Sequence, residues 1–329
     1  MKAILMTGAG GPEVLQLADV PMPELPSPSH IRVKLRAAGV NPVDTKLRKG
    51  GVPALPAILG CDGAGVVESV GAAVTRFKPG DEVFFFHGGI GGEPGNYAEY
   101  TVIHADYAAA RPAGLAMNEA AALPLVWITA WESLLDRAQL KAGETVLIHA
   151  AAGGVGHVAV QLAKHLGARV AVTVSGPDKA AFVRQLGADK IIDYRTEDFV
   201  AAAQDWTGGQ GVDVVFDTVG GDTFCRSFAA ARVYGRVVTL LQTACEAADM
   251  KTARSRNQSI HYELMLTPMQ LGMHEVRVKQ REMLEAASAL IEAGKLKVTV
   301  SRTLPLEQAT EAHRLIEAGH VSGKVVLEI

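Results

Sequence analysis

The sequence predicts an α/β protein built from a doubly wound parallel sheet and a separate, mostly-β region. Three observations carry this reading. The chain up to Met117 is rich in Gly and Pro with short β-branched runs between them, and from Glu144 strand and helix patterns alternate. A turn of small residues then opens the first of those helices.

Taken in order, the runs at 31–35 (IRVKL), 65–70 (GVVESV) and 82–86 (EVFFF) are punctuated by PMPELPSPS and KPGD, which marks them as short strands. Residues 118–138 lose the turn signals and gain Ala, Leu and Trp, predicting a helix kinked or broken at Pro124. Beyond Glu144 come a strand at 145–149 (TVLIH), helical spacing over 154–166 and a strand at 169–174 (RVAVTV). A helix over 178–186 stops at Gly187. The alternation continues with strands at 190–193, 212–216 and 236–241 and helices at 197–204 and 222–230, and it requires crossover helices on both faces of a parallel sheet. After residue 260 it stops; 279–293 and 306–318 read as amphipathic helices and 324–329 as a last strand. The expected division is 1–121 for the mostly-β domain, 122–262 for the parallel-sheet domain, and 263–329 for a segment that returns to the first.

A chain of 329 residues can bury a sizeable core without disulfides or structural metal. Hydrophobic residues at 48% and charged residues at 20% suit a soluble globular protein, and a formal charge of −3 provides no basic field for nucleic acid or an anionic membrane. The opening MKAILMTGAGGPEVLQL lacks a signal-peptide apolar run and no stretch is long enough to span a membrane, so a cytoplasmic protein is expected. Cys61, Cys225 and Cys245 form no CxxC pair and are expected to be reduced thiols.

The strongest chemical signal is the turn Ala150-Ala151-Ala152-Gly153-Gly154-Val155-Gly156 between the 145–149 strand and its helix. Phosphates must approach bare backbone there, and the helix amino terminus offers free N–H groups to a pyrophosphate. The motif departs from GxGxxG to read AxxGxxG, but the strands on both sides support dinucleotide binding. An NAD site usually ends its second strand in Asp or Glu. Here Ser175 ends it and Lys179 follows, both suited to a 2′-phosphate, with Tyr194 at the end of the next strand. Asp178, the nearest acid, sits in the turn and suits a helix N-cap. NADPH is the expected cofactor.

With AAGVNPVDTKLRKG at 37–50, PAILGCDGAGVVESVG at 56–71, LPLVWITAWESLL at 123–135, LGADKIIDY at 186–194, VDVVFDTVGG at 212–221 and the terminal SGKVVLEI, the chain resembles the zinc-free quinone oxidoreductase branch of the medium-chain dehydrogenase/reductase superfamily. The resemblance implies a GroES-like catalytic domain, a Rossmann domain and a homodimer. Zinc-containing relatives carry Cys where this chain has Asn41 and GHE where it has Gly60-Cys61-Asp62, and 87–97 contains no cysteine. A site made from Cys61, Asp62 and His87 is therefore disfavoured against a zinc-free centre.

The resemblance places Asn41 and Asp44 beside the nicotinamide and substrate. Asn41 can donate a hydrogen bond to a carbonyl or to the cofactor, whereas Asp44 suits a catalytic group and a structural acceptor equally. Thr129, backbone near Leu241, and Lys324 complete the implied cofactor set. Lys46 replaces a tyrosine of some relatives and suits either a polar-substrate anchor or a solvent-facing side chain. The expected activity is hydride transfer from NADPH to a quinone. Reduction of an activated C=C bond in an enone or alkenal is the alternative. A non-catalytic RNA-binding role lacks the basic stripe interleaved with aromatics that it needs.

Overall fold

The computed structural model describes residues 1–329 and divides them into two compact units, Met1–Ile128 with Leu266–Ile329, and Thr129–Met265. The first begins with β1 (Lys2–Met6), β2 (Leu15–Asp19) and β3 (His30–Val40), then α1 (Pro42–Gly50) and β4 (Ala57–Ile58). There follow β5 (Asp62–Val70), β6 (Glu82–Phe86), β7 (Tyr100–His104), β8 (Ala108–Ala110), α2 (Met117–Ala122) and α3 (Pro124–Trp131).

Strand β3 shows why this unit holds together. Ile31, Val33 and Leu35 point inward between Arg32, Lys34 and Arg36, the period of a half-buried strand. They pack with Val67, Val83, Phe85 and Ile103. From Ala37 onward the strand is buried throughout and its residues are small.

The second unit runs β9 (Thr145–Ile148), α4 (Gly154–His165), β10 (Arg169–Val174), α5 (Pro177–Gln185), β11 (Lys190–Asp193) and α6 (Phe199–Trp206). It continues with β12 (Val212–Asp217), α7 (Gly221–Ala230), β13 (Ala231–Thr239), α8 (Ala247–Ser255) and β14 (Ser259–Tyr262). All six strands are parallel, in the order β11-β10-β9-β12-β13-β14. The order reverses between β9 and β12, the switch point at which open α/β sheets bind ligands. Leu147, Ala171, Val215 and Val237 pack with Phe224 and Phe228 of α7.

The chain then supplies α9 (Thr267–Gln270), α10 (His274–Glu292), β15 (Val300–Pro305), α11 (Ala309–Ala318) and β16 (Lys324–Glu328) to the first unit. Strand β16 inserts between β15 and β3, pairing antiparallel with the latter, Val325 opposite Val40 and Leu327 opposite Ala38.

The helix expected over 118–138 is broken at Pro124 as anticipated: α2 ends at Ala122, α3 starts at Pro124, and a π-helical stretch, Glu132–Arg137, follows. Proline lacks the N–H that a continuous helix would need there. The strand expected at 236–241 begins at Ala231 and stops at Thr239, leaving Leu241 in the loop beyond. The units meet in sequence at 128/129 and 265/266, rather than at 121/122 and 262/263. The expectation of three reduced thiols is corrected as well. Cys225 on α7 and Cys245 are joined, with Cα atoms 5.5 Å apart, while Cys61 stays free and buried. Packing of α7 against the loop after β13 brings them together, a contact that a separation of 20 residues does not announce.

Candidate functional site

Strand β9 is buried at every position and delivers the chain into the small-residue turn. Ala150, the first residue of the AxxGxxG pattern, takes φ +49°, left-handed backbone. An L-residue gives up about 1–2 kcal/mol in that conformation. The turn is fixed by hydrogen bonds that Ala150 N–H donates to Thr173 Oγ1 and Ala151 N–H to the Thr173 carbonyl, both 3.1 Å. Gly153 is the N-cap of α4, whose first turn contains Gly154 and Val155. A Cβ on Gly153 would meet only the Ala150 carbonyl, at 3.2 Å. A Cβ on Gly156 would lie 2.6 Å from both the Ala150 oxygen and Ala151 Cα. Gly156 therefore lets the helix close on the turn, while Ala152 is buried beneath it.

Beside the turn lies a cavity of about 650 Å³ walled by His149, Tyr194, Arg195, Asp198, Val219 and Arg226 among others. That volume suits a small-molecule site. Tyr194 is 55% exposed on its rim. His149, which carries no distinguishing signal in the sequence, is buried between Thr173 Oγ1 and Ser227 Oγ, each 3.1 Å away. Burial pulls its imidazole down to about 4, so it is a neutral support under the cavity at physiological pH.

Ser175 ends β10 half-buried and Lys179 lies in the first turn of α5. Asp178 is not the cap of that helix: Gly176 is, with φ +89°, and Pro177 takes the first helical position. Gly176 N–H donates to Asp193 Oδ2 at 3.0 Å, and Arg195 N–H to Asp193 Oδ1 at 3.1 Å. Asp193, at the end of the neighbouring strand β11, thus spends both oxygens on backbone. Leu241 donates its N–H to Thr239 Oγ1 at 3.2 Å and packs against Gly220, where a Cβ would come within 2.8 Å of its Cδ1. The residues from Ala152 to Gly156, with Ser175, Lys179, Tyr194 and Leu241, all follow the carboxyl ends of parallel strands. Thr129 is buried within α3.

The first unit gathers a second set. Asn41 precedes α1, with Pro42 at the first helical position. Its N–H donates to Asp44 Oδ2 at 2.8 Å, and Asp44 N–H donates to the Asn41 carbonyl at 3.0 Å. Tyr97 hydroxyl donates to the same carboxylate at 3.0 Å, and Cys61 Sγ lies 3.7 Å from its other oxygen. Burial pushes the Asp44 carboxyl up to about 7 against the pull of the Asn41 and Tyr97 hydrogen bonds. Every contact that Asp44 makes is to the surrounding frame, the geometry of an acceptor that pins the loop.

The Asn41 amide is held from both ends. Nδ2 donates to Asp62 Oδ2 at 2.9 Å, and Oδ1 accepts from Lys324 Nζ. Lys324 also donates to the Val40 carbonyl at 3.3 Å and lies 3.5 Å from the Asp62 carboxylate, whose other oxygen accepts the Leu125 N–H at 2.8 Å. Burial raises Asp62 and lowers Lys324, each opposed by the other's charge. Lys324, expected to bind the cofactor, is buried with its ammonium committed to Asn41, Val40 and Asp62. Lys46 is exposed. Tyr97 and His313, 3.3 Å apart, were not foreseen; GNYAEY and TEAHRL carry no signal that sets them apart.

Cys61, Asp62 and His87 do not converge. His87 Nδ1 accepts from Arg277 at 2.9 Å, Cys61 leans on Asp44, and no group of three or more His, Cys, Asp or Glu side chains is arranged to hold a metal ion.

Residues 27–113 match the alcohol dehydrogenase GroES-like domain family, and residues 186–327 match the family described as zinc-binding dehydrogenase. A quinone oxidoreductase of Pseudomonas aeruginosa is 36% identical over 329 residues, 99% of each chain. The crystal structure of Escherichia coli quinone oxidoreductase complexed with NADPH matches with a TM-score of 0.88 at 33% identity, covering 100% of both chains. A 2-haloacrylate reductase structure matches with a TM-score of 0.84 at 32% identity, over 100% of this chain and 99% of that one. Full-length identity of this order, on the fold and glycine turn described above, establishes that the chain belongs to the quinone oxidoreductase branch of the medium-chain dehydrogenase/reductase superfamily.

Proposed function

We propose that the protein is an NADPH-dependent reductase that delivers hydride to quinones without a metal ion. The observation that supports the cofactor choice is the end of β10, where a serine and a lysine stand and the one acid of the turn, Asp178, lies within the first turn of α5 rather than at the strand terminus. Lys179 forms no ion pair, Ser175 stands at the strand end, and Asp193, at the end of the neighbouring strand β11, is turned onto backbone N–H groups. An NADH site would want an acid at the strand terminus facing a ribose.

The residues present fit the dinucleotide. Gly153, Gly154, Val155 and Gly156 open α4 and would offer N–H groups to a pyrophosphate. Ser175, Lys179 and Tyr194 would take the 2′-phosphate, and Thr129 and backbone near Leu241 the nicotinamide half. When bound, NADPH supplies the hydride. The protein's own part is to orient, to exclude water and to steady negative charge on the acceptor oxygen. Asn41 suits the last of these roles, because one Nδ2 proton is used on Asp62 and the other is left for a carbonyl oxygen. Asp62 and Lys324 fix that amide's orientation, and Asp44 pins the backbone that carries it. The proton that completes reduction comes from solvent.

A cytoplasmic homodimer belongs to the same reading. Strand β14 is an edge with only β13 beside it, and Tyr262 and the nearby Leu264 are more than half exposed. Such an edge invites pairing with a second copy. Sedimentation equilibrium at assay concentration should give the dimer mass; a monomer would remove that part of the proposal.

Reduction of an activated C=C bond is the second reading, favoured by the likeness to a 2-haloacrylate reductase. NADPH oxidation with 1,4-benzoquinone, 9,10-phenanthrenequinone and a simple enone distinguishes the two. Lys179→Ala should raise the KM for NADPH by roughly tenfold or more while leaving that for NADH nearly unchanged, the loss expected for one charged phosphate contact. Equal effects on both would defeat the cofactor assignment.

A further inference from the structure

We infer that Arg195 is a specificity-determining residue, its guanidinium recognising the 2′-phosphate of the nucleotide together with Lys179 and Ser175. The inference rests on the NADPH reading and extends it to a further side chain.

The cavity wall carries two arginines in different electrostatic states. Arg226 is neutralised: it pairs with Asp198 and with Asp222, 3.5 Å away, and stacks 4.9 Å over the Phe199 ring. Arg195, exposed on the same wall, takes part in none of the ion pairs or cation–ring contacts that engage Arg226. The carboxylates of the same wall are taken, Asp198 by Arg226 and Glu197 by Lys190 at 3.5 Å. Asp193, next but one in sequence, accepts the Arg195 backbone N–H with one oxygen and Gly176 N–H with the other. Arg195 therefore leaves one uncompensated guanidinium on the cavity wall.

Its location identifies the ligand chemistry. The guanidinium nitrogen lies 3.0 Å from where a Cβ on Gly176 would sit, so it rests on the bare N-cap of α5. Ser175 immediately precedes that N-cap, and Lys179 lies in the first turn behind it. Two cationic side chains and a hydroxyl, against the single carboxylate of Asp178, around one helix amino terminus suit a doubly charged phosphate monoester, and a planar guanidinium can grip two of its oxygens at once. Gly176 is required by its φ of +89°, and its bare Cα leaves the guanidinium room to lie against the N-cap.

The decisive measurement is calorimetric binding to the full chain free of nucleotide. The probes are adenosine 2′,5′-bisphosphate and 5′-AMP, which differ only in the 2′-phosphate. Arg195→Ala should weaken the bisphosphate roughly 10- to 100-fold, the range for a charge-assisted hydrogen-bond pair, and leave 5′-AMP within about twofold. Arg195→Lys should recover part of the loss. Equal weakening of both probes would mean that Arg195 serves the adenine or the fold, and would overturn the inference. So would an unchanged Arg195→Ala beside a weakened Lys179→Ala, which leaves the NADPH reading intact. If the unaltered protein binds neither probe, the nucleotide reading itself fails.

Discussion

Lys324→Met should destabilise the first unit by about 3–5 kcal/mol, the usual loss when one partner of a buried charge pair is removed. The ammonium is 3% exposed and is the only cation paired with Asp62, which is 0% exposed. Without it, a carboxylate inside the protein faces Asn41 and the Leu125 N–H alone, and Asn41 Oδ1 and the Val40 carbonyl each lose a donor. Calorimetric unfolding of the full chain should show an earlier transition. Adding Asp62→Asn should restore part of the loss, since the double variant buries no lone charge. A single variant within about 1 kcal/mol of the parent would mean that the pair carries far less than its burial implies.

Gly156→Val should abolish nucleotide binding, by at least ~100-fold in Kd, because α4 must retreat from the turn proposed to offer its N–H groups to the pyrophosphate. The added Cβ would sit 2.6 Å from backbone atoms on two residues, and backbone cannot swing aside as a side chain does. Gly153→Ala is the informative partner. Its Cβ meets a single oxygen at 3.2 Å, so a smaller loss is expected there. Fluorescence titration with NADPH measures both. Similar losses at the two positions would show that the turn tolerates no side chain anywhere, and that strand–helix closure is not the special demand at Gly156.

The parallel-sheet unit was legible because its signals are local. A buried strand, a glycine turn and an Ala-rich helix lie in consecutive residues, so 145–149, 154–166 and 169–174 predicted β9, α4 and β10 to within a residue. The short α1 was not foreseen, since Asn41-Pro42 reads as a turn as readily as a cap with Pro behind it. Strand β14 gave no clear alternation in SIHY. The first unit's polar cluster was half legible: Asn41 and Asp44 stand in one motif, but their partners Asp62, Tyr97 and Lys324 come from distant stretches that only the sheet register brings together. Lys324 stands in the cofactor set that the resemblance implies, and the sequence alone does not show that β16 buries it beside Asn41. Arg195, beside Tyr194, is equally silent in the sequence: an arginine in a loop gives no sign of whether a carboxylate will claim it.

The insertion of β16 between β15 and β3 has a consequence for biosynthesis. The stretch that completes the amino-terminal half leaves the ribosome only after the entire nucleotide-binding half has been made. Until then β3 lacks its neighbour along 37–40 and Asp62 has no counterion. The nascent chain must therefore carry an unfinished amino-terminal half while the central one folds, a reversal of the usual vectorial order in which the earliest-made domain matures first.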